Sequence, residues 1–169
     1  INQNHERFKI SYMKTITNIK NETLSKTIGF PKIHSAGGLI YNKNNNILLM
    51  LKRAKWDMPK GRVEANDTKE TTAYREVSEE TGLNFKKLAI EGKLVSTWHT
   101  TYHDTLPFLK KTHWFMMRYN GGDDVTKPQL EEGITECRWV SAGNLANYTK
   151  NMRPRIHYVI DFWQRNLIS

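Results

Sequence analysis

The sequence predicts an α+β protein in which helices cover a β-sheet as an α/β/α sandwich. Apolar runs typical of strands occur on both sides of a segment with helical spacing, and a second amphipathic helix follows near the end of the chain. Elements in that order bury their apolar faces when helices pack on a sheet. For 169 residues, we expect a single domain over 1–169, with a core at about 34–145, an N-terminal extension at 1–33 and a C-terminal helix at about 153–166.

Two apolar runs joined by a polar turn predict the first strands. His34–Asn42 and Asn46–Arg53 are the runs, and the Asn-rich stretch between them has turn chemistry, so they form a β-hairpin. Trp56–Gly61 contains a proline and a glycine and is predicted to be a loop. Residues 1–30 are polar with scattered apolar positions, and they indicate only a strand or two and a loop.

The central helix is predicted over Asp67–Thr81, where small and apolar residues recur at helical spacing. Asp67 is followed three residues later by Glu70, a pattern typical of an N-cap, and Gly82 is a natural C-terminal stop.

Further strands and helices are predicted after this helix. The strands are expected at 86–100, 110–120 and 136–141, and a short helix at 141–149. Arg153–Asn166 is predicted to be a longer helix, with one apolar face formed by Ile156, Val159, Ile160 and Trp163.

Composition and charge restrict the class of protein. The net charge of +9 favours anionic partners such as phosphates or nucleotides, although a general bias towards Asn and Lys explains it equally well. The single cysteine, Cys137, excludes an internal disulfide, suits the cytoplasm and is expected to be a packed filler in a strand. No apolar run approaches the roughly 20 residues of a membrane span, so we expect no membrane partner.

Three carboxylates share one face of the central helix. Glu76, Glu79 and Glu80 stand at positions i, i+3 and i+4, where side chains are neighbours and like charges destabilise a helix. Arg75 is adjacent but points about 100° away from Glu76, so we expect it not to neutralise the whole group. A divalent cation such as Mg²⁺ or Mn²⁺ would do so, whereas the alternative is an acidic helix face in solvent.

The spacing of these residues resembles the signature of the Nudix hydrolase family. That signature is a glycine, a glutamate six residues on, an Arg-Glu pair, a Glu-Glu pair and a closing glycine with an aliphatic residue. The sequence departs from it at one position, Asp67, where the family has glutamate. The matching residues are Gly61, Arg75, Glu76, Val77, Glu79, Glu80, Gly82 and Leu83.

The resemblance implies a Nudix fold, with a mixed β-sheet and a loop-helix-loop catalytic motif. It also implies hydrolysis, dependent on Mg²⁺ or Mn²⁺, of a diphosphate linkage in a nucleoside diphosphate derivative. By position, Glu76, Glu79 and Glu80 are the implied metal ligands, with Glu79 also catalytic. Arg75 is the implied residue that orients them, and a backbone carbonyl near Lys60 completes the coordination.

The departure at Asp67 is expected to be tolerated. Asp is one methylene shorter than Glu but is the better N-cap, so we predict a structural role for Asp67.

A further carboxylate is expected from the loop before the last strand, which resembles the stretch that supplies a general base in many Nudix enzymes. Glu132 is the first candidate and Glu131 the second, and the alternative is that both are acids in solvent.

Three basic residues are candidates for contacts with substrate phosphates. Arg53 and Lys60 flank the loop that leads into the acidic helix, although a base in a basic protein is often only solvated. Lys111 lies in a stretch that resembles a strand of Nudix enzymes acting on polyphosphorylated substrates. His99 and His103 are four residues apart, but we expect a strand there and no zinc site.

Two classes of function follow. The first is a pyrophosphohydrolase acting on a small phosphorylated substrate, such as a nucleotide or dinucleoside polyphosphate, with an RNA 5′ end as the possible nucleic-acid substrate. The second is a non-catalytic Nudix-fold module that binds a ligand or regulates. Dimers are common among similar proteins, so a homodimer is a further expectation.

Overall fold

The computed structural model describes residues 29–167, so the elements predicted at 1–30 lie almost entirely outside the described residues. The described chain divides into two compact units. The larger unit comprises residues 33–99 and 110–167 and contains every candidate site residue. The smaller unit comprises 29–32 and 100–109, and within it the backbone N–H of Leu109 donates to the carbonyl of Pro31 at 2.9 Å.

Within the described residues, seven strands form one sheet with the order β3-β2-β1-β6-β5, while β4 pairs with β1 and β7 pairs with β2. The strands are β1 (Lys32–Tyr41), β2 (Ile47–Lys52), β3 (Lys55–Asp57), β4 (Lys60–Arg62), β5 (Leu88–His103), β6 (Leu106–Tyr119) and β7 (Ile134–Val140). The helices are α1 (Lys69–Thr81), α2 (Ala146–Thr149) and α3 (Pro154–Leu167). Short 3-10 turns lie at Phe85–Lys87, Leu130–Glu132 and Ala142–Asn144.

The predicted hairpin is confirmed as β1 and β2, which pair antiparallel. The prediction of a loop over Trp56–Gly61 is wrong, because β3 and β4 occupy most of it. Strands of three residues are too short to show an alternating pattern, so turn residues dominate the local sequence. The pairing of β4 with β1 places Gly61 opposite Ala36.

Helix α1 is confirmed, but it begins after Thr68 and the prediction of Asp67 as its N-cap is wrong. The Thr68 hydroxyl accepts a hydrogen bond from the backbone N–H of Thr71 at 3.0 Å, which satisfies one of the free donors of the first turn. The helix ends at Gly82, whose φ of 72° is the left-handed conformation that glycine adopts without strain.

The larger unit has an apolar core on each face of its sheet. Adjacent residues of a strand point to opposite faces, so Leu39 packs with the α3 side and Ile40 with the α1 side. The predicted apolar face of α3 is confirmed by Ile156, Val159 and Ile160, which are buried in the first of these cores, with Trp163 packed against it. Helices on both faces confirm the predicted layering for this unit.

Cys137 lies in β7 and is half buried against the core on the α1 side, as predicted for a packing residue. Burial raises the pKa of its thiol to about 12, so the thiolate is scarce at neutral pH. Among the described residues, no helix combines the length and the apolar character that a membrane span requires.

Candidate active site

Glu76 lies against the backbone of β4. A Cβ built on Gly61 would overlap the carboxylate of Glu76, so only glycine leaves room for this side chain. Burial raises the pKa of the Glu76 carboxyl, and the nearby charges of Glu80 and Glu79 raise it further, while Arg75 acts in the opposite direction. Burial is therefore the main reason why the Glu76 carboxyl holds a proton more readily than an exposed glutamate.

Arg75 contacts two of the three helical carboxylates. Its Nη1 lies 2.6 Å from Glu76 Oε1 and 3.3 Å from Glu79 Oε2. The expectation that Arg75 points away from Glu76 is wrong, because Nη1 contacts that carboxylate directly. Arg75 still does not neutralise the whole group, since it makes no described contact with Glu80. Its Nη2 donates to the carbonyl of Arg62 at 3.1 Å and to Asp67 Oδ2 at 3.3 Å, which fixes the guanidinium plane.

Glu80 is the most buried of the three carboxylates, with 2% of its side chain exposed. Lys52 Nζ lies 2.6 Å from Oε1, and the backbone N–H of Lys60 donates to Oε2 at 2.7 Å. Both oxygens of Glu80 are therefore held by protein donors. Burial acts to lower the pKa of Lys52, but Glu80 and Glu132 outweigh it and the pKa is raised, so Lys52 stays charged.

Glu132 reaches the same lysine from the loop before β7. Its Oε2 lies 3.3 Å from Lys52 Nζ, and 53% of its side chain is exposed. The loop is held on the end of α1, because the backbone N–H groups of Lys127 and Gln129 donate to the carbonyls of Thr81 and Glu80. The structure thus places Glu132 on the same lysine as Glu80, and its role as a general base stays a prediction. Glu131 is exposed and has no described side-chain contact.

The donor chemistry of this face fits a hard divalent cation in part. Glu76 Oε2 and Glu79 Oε1 accept no hydrogen bond from the described protein, and carboxylate oxygens are the ligands that Mg²⁺ and Mn²⁺ prefer. In residues 29–167, however, no group of three or more His, Cys, Asp or Glu side chains closes around one position. The reason is visible in the contacts, since Arg75 and Lys52 each stand between two carboxylates.

The Lys60 side chain lies on the α3 face of the sheet. Its Nζ contacts Asp57 Oδ1 at 2.8 Å and the carbonyl of Met58 at 3.2 Å, so the predicted phosphate contact by Lys60 would compete with these partners. Burial lowers the pKa of the Lys60 ammonium. Arg153 Nε lies 3.0 Å, and Arg155 Nη2 4.0 Å, from Asp57 Oδ2.

Asp57 is a buried carboxylate shared by several cations. Burial acts to raise its pKa, but Lys60, the backbone N–H of Met58 and Arg155 outweigh burial and hold the pKa below its usual value. Asp57 is therefore ionised at neutral pH.

The other predicted phosphate ligands, Arg53 and Lys111, lie away from the α3 face. Arg53 has a φ of 53° in the turn after β2, and its side chain lies beside Gly133, next to Glu132. Lys111 Nζ lies 4.9 Å from the ring of Trp98. Its neighbour Lys110 points to the opposite face of β6, the same face as Trp114 and Lys60. The roles of Arg53 and Lys111 stay predictions.

Sequence reasoning missed four charged residues at this site: Lys52, Asp57, Lys110 and Arg155. They come from β2, β3, β6 and α3, and pairing of distant strands brings them together. The one available signal was local, because Asp57 and Lys60 stand at i and i+3 around a proline.

The fold and the site together define a helix-borne carboxylate site on an α+β sheet, and comparison with known proteins gives its family. A family model described as the NUDIX domain matches residues 31–161, so the chain belongs to the Nudix hydrolase family. Its curated relatives place it among the Nudix-type pyrophosphohydrolases.

Two relatives illustrate the range. An RNA pyrophosphohydrolase from Roseobacter denitrificans is 31% identical over 136 residues, which cover 74% of this chain and 81% of that protein. A putative mutator protein, MutT4, from Mycobacterium tuberculosis is 39% identical over 88 residues. That match covers 52% of this chain and 33% of MutT4, so the chain spans about a third of the length of this relative.

Solved structures share the fold. An Ap4A hydrolase from C. elegans, solved as a binary complex, superposes with a TM-score of 0.61 at 17% identity, over 80% of this chain and 98% of that one. A bifunctional NMN adenylyltransferase/ADP ribose pyrophosphatase from Francisella tularensis, complexed with AMP and a Mn ion, has a TM-score of 0.59 at 19% identity. The superposition covers 90% of this chain and 46% of the Francisella tularensis chain. These likenesses confirm the Nudix fold.

Proposed function

We propose that this protein hydrolyses a diphosphate linkage in a nucleoside diphosphate derivative or a nucleoside polyphosphate, with the help of a divalent metal ion. The observation that carries the proposal is the convergence of Glu76, Glu79, Glu80 and Glu132 around Arg75 and Lys52. Carboxylate oxygens are the ligands that Mg²⁺ prefers, and a bound ion of this kind can orient and polarise a phosphorylated substrate.

The carboxylates of α1 are the proposed ligands of Mg²⁺ or Mn²⁺. When bound, the ion would neutralise and polarise the phosphoryl oxygens of the substrate. Arg75 holds Glu76 and Glu79 in position through Nη1, and the backbone N–H of Lys60 does the same for Glu80. Family membership supports the metal, as does the Mn ion in the Francisella tularensis structure.

Glu132 is the proposed general base. It is solvent-accessible and lies at the rim of the carboxylate group, where Lys52 orients it. A water molecule would attack phosphorus while its proton passes to Glu132, and the P–O bond of the anhydride would break so that the second phosphate leaves as an anion. Glu80 and Glu132 raise the pKa of Lys52, so Lys52 is charged at neutral pH and can hold Glu132 beside Glu80.

The relatives support a substrate with a phosphate chain. Their names include an RNA pyrophosphohydrolase and an 8-oxo-dGTP diphosphatase, and a structural neighbour is an Ap4A hydrolase. We propose nucleoside or dinucleoside polyphosphates as substrates, together with RNA 5′ ends.

A panel of diphosphate compounds tests the proposed function. Purified protein with Mg²⁺ or Mn²⁺ is incubated with each compound, and released phosphate and pyrophosphate are measured for wild type, Glu79→Gln and Glu132→Gln. We expect a loss of at least about a hundredfold in turnover for each variant, because each removes a charged oxygen from the reacting centre. Glu64→Gln, an exposed acid before α1, is the matched control and should keep full activity.

Two outcomes would contradict parts of this proposal. Wild-type release no greater than that of Glu79→Gln would favour the non-catalytic binding module. Unchanged turnover of Glu132→Gln at saturating metal would remove Glu132 as the base, and Glu131→Gln would then identify the second candidate.

A further inference from the structure

Four basic side chains lie close together on the α3 face of the sheet, beside the carboxylates of α1. We call Lys60, Lys110, Arg153 and Arg155 the cationic cluster. Lys60 and Lys110 come from β4 and β6, and both Arg residues lie at the start of α3. The ring of Trp114 lies beside the cationic cluster, 6.0 Å from Lys60 Nζ.

One buried carboxylate, that of Asp57, is shared by most of the cationic cluster. Asp57 contacts Lys60 and Arg153 directly and Arg155 at 4.0 Å. Asp57 is the main negative charge for these four cations, and Glu80 and Glu76 add a weaker attraction to Lys60 and Lys110 from the carboxylate side. Burial lowers the pKa of Lys110, with Lys60, Arg155 and Lys52 lowering it further, while Glu76 opposes. Burial also lowers the pKa of Arg155.

Several polar groups here have no partner in the described protein. Lys110 makes no described hydrogen bond or ion pair with its side chain. Arg155 Nε and His99 Nδ1 are both buried from solvent without a hydrogen-bond partner in residues 29–167. Buried polar atoms are usually paired, so unpaired donors that converge indicate a ligand. His99 is neutral, since burial and the neighbouring cations lower its pKa to about 4, and a neutral imidazole donates one N–H.

The cationic cluster continues directly from the carboxylate group. Lys60 joins the two, because its backbone N–H holds Glu80 while its ammonium holds Asp57. Lys110 lies within electrostatic range of Glu76. A phosphate chain whose cleaved linkage lies at the carboxylates would therefore extend its remaining phosphates towards Lys110 and Arg155.

We propose that Lys110, Arg155 and His99 form a subsite for phosphate groups beyond the hydrolysed linkage, so that the enzyme selects chains of three or more phosphates. This inference rests on the proposed function and narrows its substrate class. Phosphate oxygens fit these donors better than the nucleobase of a nucleotide would, because each cation offers several N–H groups and carries a positive charge. A free nucleoside triphosphate and a triphosphorylated RNA 5′ end share this chemistry.

Kinetics with substrates of matched chain length test the subsite. GDP and GTP, and RNA oligonucleotides with a 5′ diphosphate or a 5′ triphosphate, are compared for wild type, Lys110→Met and Arg155→Gln. We expect KM for the triphosphates to rise about tenfold or more in each variant, with little change in kcat or in KM for the diphosphates. The same fold-change for both chain lengths, or no change, would overturn the inference. The nucleotide arm and the RNA arm identify which source the enzyme uses.

Charge-matched controls come from exposed positions. Lys93→Met removes a lysine of β5 whose ion pair with Glu70 is long, at 3.9 Å, and exposed. Arg165→Gln removes an arginine of α3 that contacts Asp161. Both should leave all kinetic constants at wild-type values, which separates the subsite from a general effect of net charge.

A binding measurement keeps the subsite distinguishable from the hydrolytic activity. Inorganic tripolyphosphate and pyrophosphate are titrated calorimetrically into metal-free protein, and melting temperatures are measured alongside. We expect Lys110→Met to weaken tripolyphosphate binding about tenfold and to melt at or above the wild-type temperature, because it removes a half-buried charge that has no described ion pair. Equal tripolyphosphate affinity for wild type and Lys110→Met would overturn the subsite even if hydrolysis is observed. If tripolyphosphate binding depends on Lys110 but no diphosphate compound is hydrolysed, the phosphate subsite would be retained and the proposed function would be overturned.

Discussion

Gly61 determines where the Glu76 carboxylate can lie. The residue sits in β4 opposite Ala36, and any side chain there would occupy the space of the carboxylate. We predict that Gly61→Ala displaces Glu76 and lowers turnover about a hundredfold, the loss typical of a misplacement of about 1 Å. Steady-state kinetics on a diphosphate substrate measure it.

Gly92→Ala is the matched control for this substitution. Gly92 lies in β5, and a Cβ there would meet no atom within 4 Å. The control should keep wild-type turnover. Wild-type turnover in Gly61→Ala as well would contradict the placement of Glu76 in the active site.

Asp67 supports Arg75 rather than the start of the helix. Its Oδ2 lies 3.4 Å from Arg75 Nε and 3.3 Å from Nη2, both at the long end of hydrogen bonding. We predict that Asp67→Glu changes turnover by less than about tenfold, because the extra methylene closes a contact that already exists. A hundredfold rise in kcat would mean that the departure from the family signature limits activity.

At the scale of single elements, the sequence predicted the elements that are long enough to show a periodic pattern and missed the very short strands. Helix α1 spans three and a half turns, so its spacing was readable, and Gly82 marked its end. Its start was misplaced by one residue because Asp67 and Thr68 are both good caps and only contacts decide between them. β3 and β4 have three residues each, too few for any period.

The β3–β4 segment should contribute to stability through Asp57. This buried carboxylate contacts Lys60, Arg153 and Arg155, and removing its charge would leave these three cations without their nearest anion. We predict that Asp57→Asn lowers the free energy of unfolding by about 3 kcal/mol. Urea denaturation of wild type and variant measures the difference.

The control for Asp57→Asn is Asp161→Asn, which breaks an ion pair with Arg165 on the surface of α3. A surface pair contributes about 1 kcal/mol or less. Equal losses in the two variants would show that Asp57 contributes no more than an exposed acid.

At the scale of the whole molecule, the helical carboxylates of the candidate site were predictable from sequence, whereas several of the basic residues beside them were not. Glu76, Glu79 and Glu80 lie on one helix, so their spacing in sequence is also their spacing in space. Lys52, Lys110 and Arg155 are distant in sequence. They come together because β2 and β6 belong to the same sheet and α3 packs on one face of it. Alternation along β6 distinguishes Lys110 from Lys111, but which face meets α3 is a tertiary fact.

The half-buried imidazole of His99 predicts how the stability of the larger unit depends on pH. Arg155, Lys110, Lys60 and Asp57 face it, and burial with the three cations lowers its pKa from 6.5 to about 4. In the unfolded chain His99 takes up a proton as the pH falls below 6.5, whereas in the folded chain it does so only near pH 4. The unfolded chain therefore binds one more proton than the folded chain in this interval. The free energy of unfolding falls as the pH drops from 6.5 towards 4.

We predict that His99→Gln reduces this slope, because glutamine binds no proton in either state. Urea denaturation at pH 8 and at several values between 6.5 and 5 measures it, with pH 8 as the internal reference at which His99 is neutral in both states. Part of the slope should remain, since burial also lowers the pKa of His113 to about 4. Identical slopes for wild type and His99→Gln would mean that the imidazole takes up its proton at the same pH in the folded protein as in the unfolded chain, which would contradict the effect of burial and of the neighbouring cations.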